Sequence, residues 1–152
     1  MIHLSWRSAK EKILDDFLDI LEERHALTKI RFPYIPGFLS FREGEVFLKL
    51  FSRLKTKPDI LIFDGQGIAH PRGLGIASHL GVLLNVPAIG CAKSKLFGIY
   101  REPGLLKGDF SYLLHPQTQK PLGVVLRTRT HTRPLFVSPG NLITIEEAKE
   151  II

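Results

Sequence analysis

The sequence predicts an α/β domain in which helices flank a mixed sheet. Residues 59–63 and 86–92 are short apolar runs, typical of strands buried on both faces of a sheet. Residues 74–84 between them have the composition and spacing of a helix. A strand, a helix and a second strand form a βαβ unit, whose crossover is expected to be right-handed. We therefore expect a sheet that contains parallel strands.

Two further helices are predicted before this unit. Residues 8–11 read as a helix capping box, and apolar residues follow at helical spacing, so residues 1–29 are expected to form an N-terminal helix. A second helix is expected over about residues 39–54. Its apolar stripe contains Phe47, Leu50, Phe51 and Leu54.

The remainder of the chain is predicted to add antiparallel strands and a last helix. Residues 123–128 and 134–138 resemble a hairpin, and residues 144–147 repeat the capping-box pattern at the start of a helix. Residues 98–120 are expected to be the loosest segment. Because no linker or repeat interrupts the sequence, residues 1–152 are predicted to form a single domain.

Composition excludes several classes of protein. The chain is 44% hydrophobic and 24% charged, as soluble globular domains are, and its apolar runs are too short to cross a bilayer. No membrane association and no secretory signal are predicted. Cys91 is the single cysteine, so an intrachain disulfide is excluded and a cytoplasmic location is expected.

Net charge is +6, and the excess is concentrated in residues 93–133. That segment carries eight lysine and arginine residues and two acidic ones. A positive field of this kind favours a polyanion such as nucleic acid. A solvated basic face with no ligand explains the charge equally well.

Three side chains able to do chemistry are predicted to converge. Asp64 and Lys93 each follow a predicted strand, and ligands of open α/β sheets bind at the carboxyl ends of strands. Glu43 falls on the apolar stripe of the second helix, where a carboxylate is costly unless it is paired or binds a metal. Asp64 and Glu43 suit Mg²⁺. The alternatives are a simple Asp-Gly turn for Asp64 and a surface role for Lys93.

Other residues suggest contact with nucleic acid. Tyr34, held beside Pro36 in a rigid turn, is suited to stack on a base or wedge a duplex, although packing beneath the prolines explains it equally well. His70, in the loop after Asp64, is a candidate for contact with phosphate. Gly65 would let a substrate backbone approach closely.

Six segments together resemble the endonuclease V family, in the family's order. They cover much of residues 30–148 and comprise residues 32–37, 41–44, 64–72, 77–81, 89–94 and 136–140. The resemblance implies a ribonuclease H-like fold and a Mg²⁺-dependent endonuclease, with Mn²⁺ as an alternative ion. It also implies hydrolysis of the second phosphodiester bond 3′ to deoxyinosine or inosine, in DNA repair or RNA processing. The partner would be DNA or RNA containing deaminated adenine.

The resemblance also implies roles for individual residues. Asp64 matches the family's metal-binding aspartate, Glu43 its active-site glutamate and Lys93 its active-site lysine. Tyr34 and Pro36 belong to the strand-separating wedge. The positions around the pocket for the flipped base match Gly37, Leu39 and Gly65.

Departures from the family pattern lead to further expectations. The family's first strand supplies a second metal-binding aspartate, whereas residues 1–29 are predicted to be helical, so the first strands are expected to be lacking. The chain also ends before the segment that carries the family's active-site histidine. A missing sheet edge would favour self-association or a complementing chain. An impaired enzyme, an inactive inosine-binding remnant and a fragment of a longer enzyme are therefore the alternatives.

Overall fold

The computed structural model describes residues 2–3, 9–14, 20–26, 32–33 and 35–152. Within those residues the chain forms eight strands and three helices. The strands are β1 (Ile2–His3), β2 (Ala9–Leu14), β3 (Ile20–Ala26), β4 (Leu61–Phe63), β5 (Ala88–Ala92), β6 (Phe110–Leu114), β7 (Pro121–Leu126) and β8 (Leu135–Asn141). The helices are α1 (Leu39–Phe51), α2 (Ile76–Leu84) and α3 (Ile145–Ile151).

All eight strands belong to one mixed sheet, in the order β3-β2-β1-β4-β5-β8-β7-β6. The three central strands β1, β4 and β5 are parallel, and all other pairs are antiparallel. The predicted mixed sheet with flanking helices is confirmed. The carboxyl ends of β4 and β5 lie at the same edge of this sheet, which is where Asp64 and Lys93 follow.

The two faces of the sheet are covered by different helices. On one face, Phe47 of α1 and Leu80 of α2 pack with Phe63 of β4 in one buried cluster. On the other face, Ala148 of α3 packs with Ile62 and other buried residues of β5, β7 and β8. Adjacent residues of β4 therefore contribute to opposite layers, which explains why the strand reads as a continuous apolar run.

The prediction of an N-terminal helix is wrong, because residues 9–14 and 20–26 form the antiparallel pair β2–β3. The register runs from Ala9 opposite Ala26 to Leu14 opposite Ile20. Burial in β3 alternates from residue to residue from Leu21 to Ala26, with a period of two. Pairing between these two strands therefore outweighs the local helical spacing of the apolar residues.

The expectation that the first strands are lacking is also wrong. Strand β1 pairs in parallel with β4, Ile2 with Leu61 and His3 with Ile62, and β2 and β3 extend the sheet beyond it. Strand β4 therefore has a neighbour on each side, and the reason for expecting a complementing chain at its edge falls away. The carboxylates predicted on this N-terminal helix at residues 15, 16 and 19 lie outside the described residues.

Residues 98–120 are more regular than predicted, because they contain the edge strand β6. It pairs with β7 from Phe110 opposite Leu126 to Leu114 opposite Pro121. The β7–β8 hairpin and the capping box of α3 are confirmed, the latter with Thr144 and Glu147 bonded reciprocally. In the described part of the chain, none of the helices has the length and apolar character needed to span a bilayer.

Candidate active site

A cavity of about 760 Å³ opens at the carboxyl ends of β4 and β5. Its volume is in the range of small-molecule pockets. Of the nine site residues predicted from the sequence, eight line it: Pro36, Gly37, Leu39, Glu43, Asp64, Gly65, His70 and Lys93. Tyr34, the ninth, lies outside the described residues. Apolar side chains, glycine backbone and five charged side chains, those of Arg42, Glu43, Asp64, Lys93 and Lys95, therefore surround one space.

Asp64 and Lys93 meet directly at the ends of the two central strands. The Lys93 Nζ donates to Asp64 Oδ2 across 2.7 Å. The Asp64 side chain is only 15% exposed, whereas that of Lys93 is 68% exposed. A carboxylate fixed at the base of the cavity is thus paired with a cation that can still reach solvent and a ligand.

Glu43 enters the same cavity from α1, one turn before the buried residue Phe47. Burial raises the pKa of the Glu43 carboxyl, and the negative charge of Asp64 raises it further, while Arg42 lowers it. Both carboxylates line the same cavity. A second negative charge is therefore disfavoured in the cavity unless a cation joins it.

The turn after β4 fits against the sheet because it contains glycine. A Cβ atom at Gly67 would lie 2.0 Å from the Pro139 carbonyl oxygen, and one at Gly65 would lie 2.7 Å from Ile76 Cγ2. The Gly67 N–H also donates to the buried Ser138 hydroxyl across 2.9 Å. These close approaches hold Asp64 in place, and they explain why the Asp-Gly-Gln-Gly sequence is needed here.

The turn formed by residues 35–38 lies on the other side of the cavity. It is held in place through one of its own carbonyl groups, which accepts two hydrogen bonds. Gly37, whose φ is +83°, presents its carbonyl oxygen to His70 Nε2 and Arg72 Nη2, each at 3.0 Å. The Arg72 guanidinium also lies 4.1 Å from the centre of the Phe38 ring. We call these four residues, Gly37, Phe38, His70 and Arg72, the turn clamp.

His70 is placed for support of this turn. It is buried, and its Nδ1 accepts the Arg72 backbone N–H across 3.1 Å while Nε2 donates to Gly37. This arrangement requires the neutral ring with its proton on Nε2. Burial lowers the pKa of His70, the Gly37 bond opposes this, and the Arg72 charge lowers it further. The phosphate contact predicted for His70 would require this bonding to break.

Sequence reasoning missed Arg72 and Gln66. Arg72 follows His70 by two residues, but no local pattern shows that its guanidinium reaches Gly37 across 35 positions. Gln66 is 7% exposed and its Nε2 donates to the Ser94 carbonyl across 2.9 Å, which links the turn after β4 to the turn after β5. Among the described residues its Oε1 has no hydrogen-bond partner. The signal available was their position within the Asp64 to Arg72 segment.

Comparison with known proteins identifies close relatives. A model of the Endonuclease V family matches residues 9–152. Endonuclease V of Kosmotoga olearia is 50% identical over 139 residues, which are 91% of this chain and 61% of the relative. The Dictyoglomus turgidum protein is 53% identical over 135 residues, 89% of this chain and 58% of the relative. The chain therefore spans about three fifths of the length of these curated relatives.

Solved structures agree with these matches. The Bacillus subtilis Endonuclease V structure aligns with a TM-score of 0.89 and 30% identity, covering 99% of this chain and 68% of that one. A Ciona intestinalis Endonuclease V, crystallised with a 24mer DNA containing an inosine followed by a ribo-adenosine, gives 0.83 and 28%, covering 100% and 74%. The ribonuclease H-like α/β class expected from the sequence is confirmed by these similarities.

Proposed function

Because this chain belongs to the endonuclease V family, we propose that it hydrolyses the second phosphodiester bond 3′ to deoxyinosine or inosine in nucleic acid. The observation that carries the proposal is the single cavity that contains Glu43, Asp64 and Lys93 beside glycine backbone and apolar walls. Such a cavity combines a space for a flipped base with charged groups for a phosphodiester. Its natural substrate would be DNA or RNA that contains deaminated adenine.

The base would enter between the turn clamp and the turn after β4. Gly37 and Gly65 line the cavity there without a side chain, and Leu39 and Pro36 supply apolar contact surface. Tyr34 would wedge the strand as the base leaves its stack. Because His70 keeps the Gly37 carbonyl engaged, the wall that the base meets is fixed before it arrives.

Two carboxylates in one cavity fit a magnesium ion. Asp64 and Glu43 are the residues that would hold Mg²⁺, or Mn²⁺ in its place, because these ions prefer oxygen ligands and accept few of them from the protein. When bound, the ion supplies positive charge that polarises water and phosphodiester. It would also oppose the burial and the Asp64 charge that raise the pKa of Glu43.

Lys93 would stabilise negative charge on the phosphodiester. Its ammonium is held 2.7 Å from Asp64 Oδ2, but the side chain is 68% exposed, so it can turn to a phosphate oxygen without a large desolvation cost. Asp64 then has two functions in the proposal, positioning Lys93 and binding the cation. A cytoplasmic location is proposed with this function, from the single cysteine.

The test is nicking of a 5′-labelled oligonucleotide with one deoxyinosine, in Mg²⁺, by the chain and its Asp64→Ala variant. We expect a product cut at the second bond on the 3′ side, reduced at least 100-fold in the variant because the carboxylate is lost. An inosine-containing RNA of the same sequence compares the two substrates. A folded chain that gives no more product than Asp64→Ala would contradict the proposal.

A second candidate is an inosine-binding protein that does not cleave. Two observations favour it. The resemblance implies a metal-binding aspartate in the family's first strand, whereas β1 consists of Ile2 and His3. In addition, no group of three or more metal-ligating side chains occurs among the described residues. Anisotropy with the same oligonucleotide separates the candidates. Inosine-selective binding without a nick would support the second, and a nick lost in Asp64→Ala would support the first.

A further inference from the structure

Two loops at the active-site edge of the sheet lie beside the cavity and have no role in the site described above. Residues 101–109 precede β6, and residues 127–133 join β7 to β8. We call them the cationic loop pair. Because Ala92 at the end of β5 pairs with Phe136, and Leu126 at the end of β7 pairs with Leu135, both loops emerge at the edge that carries Asp64 and Lys93.

The distances follow from the spacing of strands. Neighbouring strands lie about 4.8 Å apart, so β8, β7 and β6 begin or end about 5, 10 and 15 Å from β5 at this edge. A nucleic acid strand whose phosphodiester lies at Asp64 and Lys93 would reach the loop pair within a few nucleotides if it continued along the edge.

A buried arginine fixes the two loops to each other. The Arg127 side chain is 5% exposed, pairs with Glu102 Oε1 at 3.0 Å, and donates to the carbonyls of Gly104, Pro103 and Thr132. Backbone contacts add to this, since the His131 N–H donates to Leu105 and the Lys107 N–H donates to Thr130 Oγ1. The loops therefore form one preorganised surface.

That surface presents cations whose charge is not neutralised by an acidic side chain in the part of the chain that the structure describes. Lys107, Arg129 and Arg133 are exposed, and none of them forms an ion pair in the part of the chain that the structure describes. The two acids of the loop pair are engaged: Glu102 pairs with Arg127, and Asp109 Oδ2 accepts the Leu106 N–H across 2.9 Å. A positive charge remains beside the cavity.

We propose that the cationic loop pair binds the sugar–phosphate backbone of the nucleic acid beyond the cleaved bond, independently of sequence. The inference rests on the proposed function, because it assigns a second contact to the same substrate. Lys107, Arg129 and Arg133 would each contact a phosphate, and the exposed Leu106, 61% accessible, would pack against sugar or base. The buried Arg127 keeps this surface rigid without contacting the ligand.

The experiment measures binding and needs no cleavage. Anisotropy of labelled single-stranded and duplex oligonucleotides, with and without one deoxyinosine, is recorded in EDTA over a range of salt concentrations. The variant replaces Lys107, Arg129 and Arg133 with glutamine. The matched control replaces Arg53, Lys55 and Lys57, three exposed cations that precede β4 at the opposite edge of the sheet. Both variants lose three positive charges, and thermal unfolding confirms that both are folded.

In the loop-pair variant, the plot of log K against log salt should become less steep. The size of its negative slope should decrease by about 2 for single strands and by up to about 3 for duplex, since each phosphate contact contributes about 0.7 to 0.9 to the slope. The control should lose less than about 1. Equal losses in the two variants, or an unchanged slope in the loop-pair variant, would overturn the proposal.

The proposed function has its own readout in the same experiment. Any preference of the wild type for the deoxyinosine strand depends on the cavity, and it should survive in both variants. A wild type without that preference would count against the proposed function, while the difference between the two slopes would still decide the role of the loop pair.

Discussion

The turn clamp and the cationic loop pair lie at the same edge of the sheet but are held by opposite means. The turn depends on one carbonyl, shared between a neutral histidine and an arginine at the surface. The loops depend on a buried arginine that has a permanent charge and four acceptors. The support of the wall that would meet the base can thus respond to pH, whereas the support of the loop pair rests on a side chain with a permanent charge. Specificity for the base and general affinity for the nucleic acid backbone would therefore depend on two separate sets of stabilising contacts.

The largest effect is expected where the loop pair loses its support. Arg127→Met should lower the free energy of unfolding by about 3 kcal/mol, because the ion pair with the exposed Glu102 and several hydrogen bonds from the buried guanidinium to backbone carbonyls are lost together. Arg129→Met, two residues away and exposed, is the matched control and should change it by about 0.5 kcal/mol or less. Urea unfolding followed by circular dichroism measures both. Equal effects would show that Arg127 does not hold the loops.

A smaller effect is expected in the turn clamp. Arg72→Lys retains the positive charge but loses the planar contact with Phe38 and the geometry of the bond to Gly37, so it should cost about 1 kcal/mol of stability. The preference for a deoxyinosine strand should fall as the turn loosens, while the salt slope should not change. Arg53→Lys is the control. A changed salt slope with an intact inosine preference would contradict the separation of the two regions.

The smallest effect is a dependence of stability on pH that arises from His70 in the turn clamp. Because burial lowers the pKa of His70, the unfolded chain takes up a proton first as the solution becomes acidic. The contribution of His70 is therefore complete above its ordinary pKa and is lost as pH falls through the lowered folded value. The free energy of unfolding should decrease less between pH 7.5 and pH 5 in His70→Gln than in the wild type.

A control for that comparison must be destabilised without losing a titrating group. Ile89→Val removes one methylene group from a fully buried residue of β5 and should cost about 1 kcal/mol at every pH. If His70→Gln and Ile89→Val show the same pH dependence as the wild type, His70 does not couple the turn to protonation.

The central part of the fold could be predicted from the sequence because its signals are local. The apolar runs of β4 and β5 and the helical stripe that carries Glu43 are each contained within a few consecutive residues. The same holds for the capping box of α3. Asp64 and Lys93 follow strands of a βαβ unit, so their convergence requires only the rule that parallel strands end at one edge.

The outer strands could not be predicted because their stability comes from cross-strand pairing, which no pattern within a few consecutive residues shows. Residues 20–26 have exposed Ile20 and Leu21 at helical spacing from Ile13, and only pairing with β2 makes them a strand. Edge strand β6 is half exposed and follows a loop rich in glycine and proline. Arg72 and Arg127 likewise gain their roles from contacts with residues far along the chain or in adjacent loops.

Cys91, in the strand next to Asp64, makes the site observable without an added label. Burial, together with the negative charge of Asp64, raises the pKa of its thiol to about 11, although Lys93 opposes the shift. Only the thiolate reacts with alkylating reagents, so the native protein should react slowly. Because this is the single cysteine in the chain, the rate of its alkylation measures how often β5 opens enough to expose the thiol.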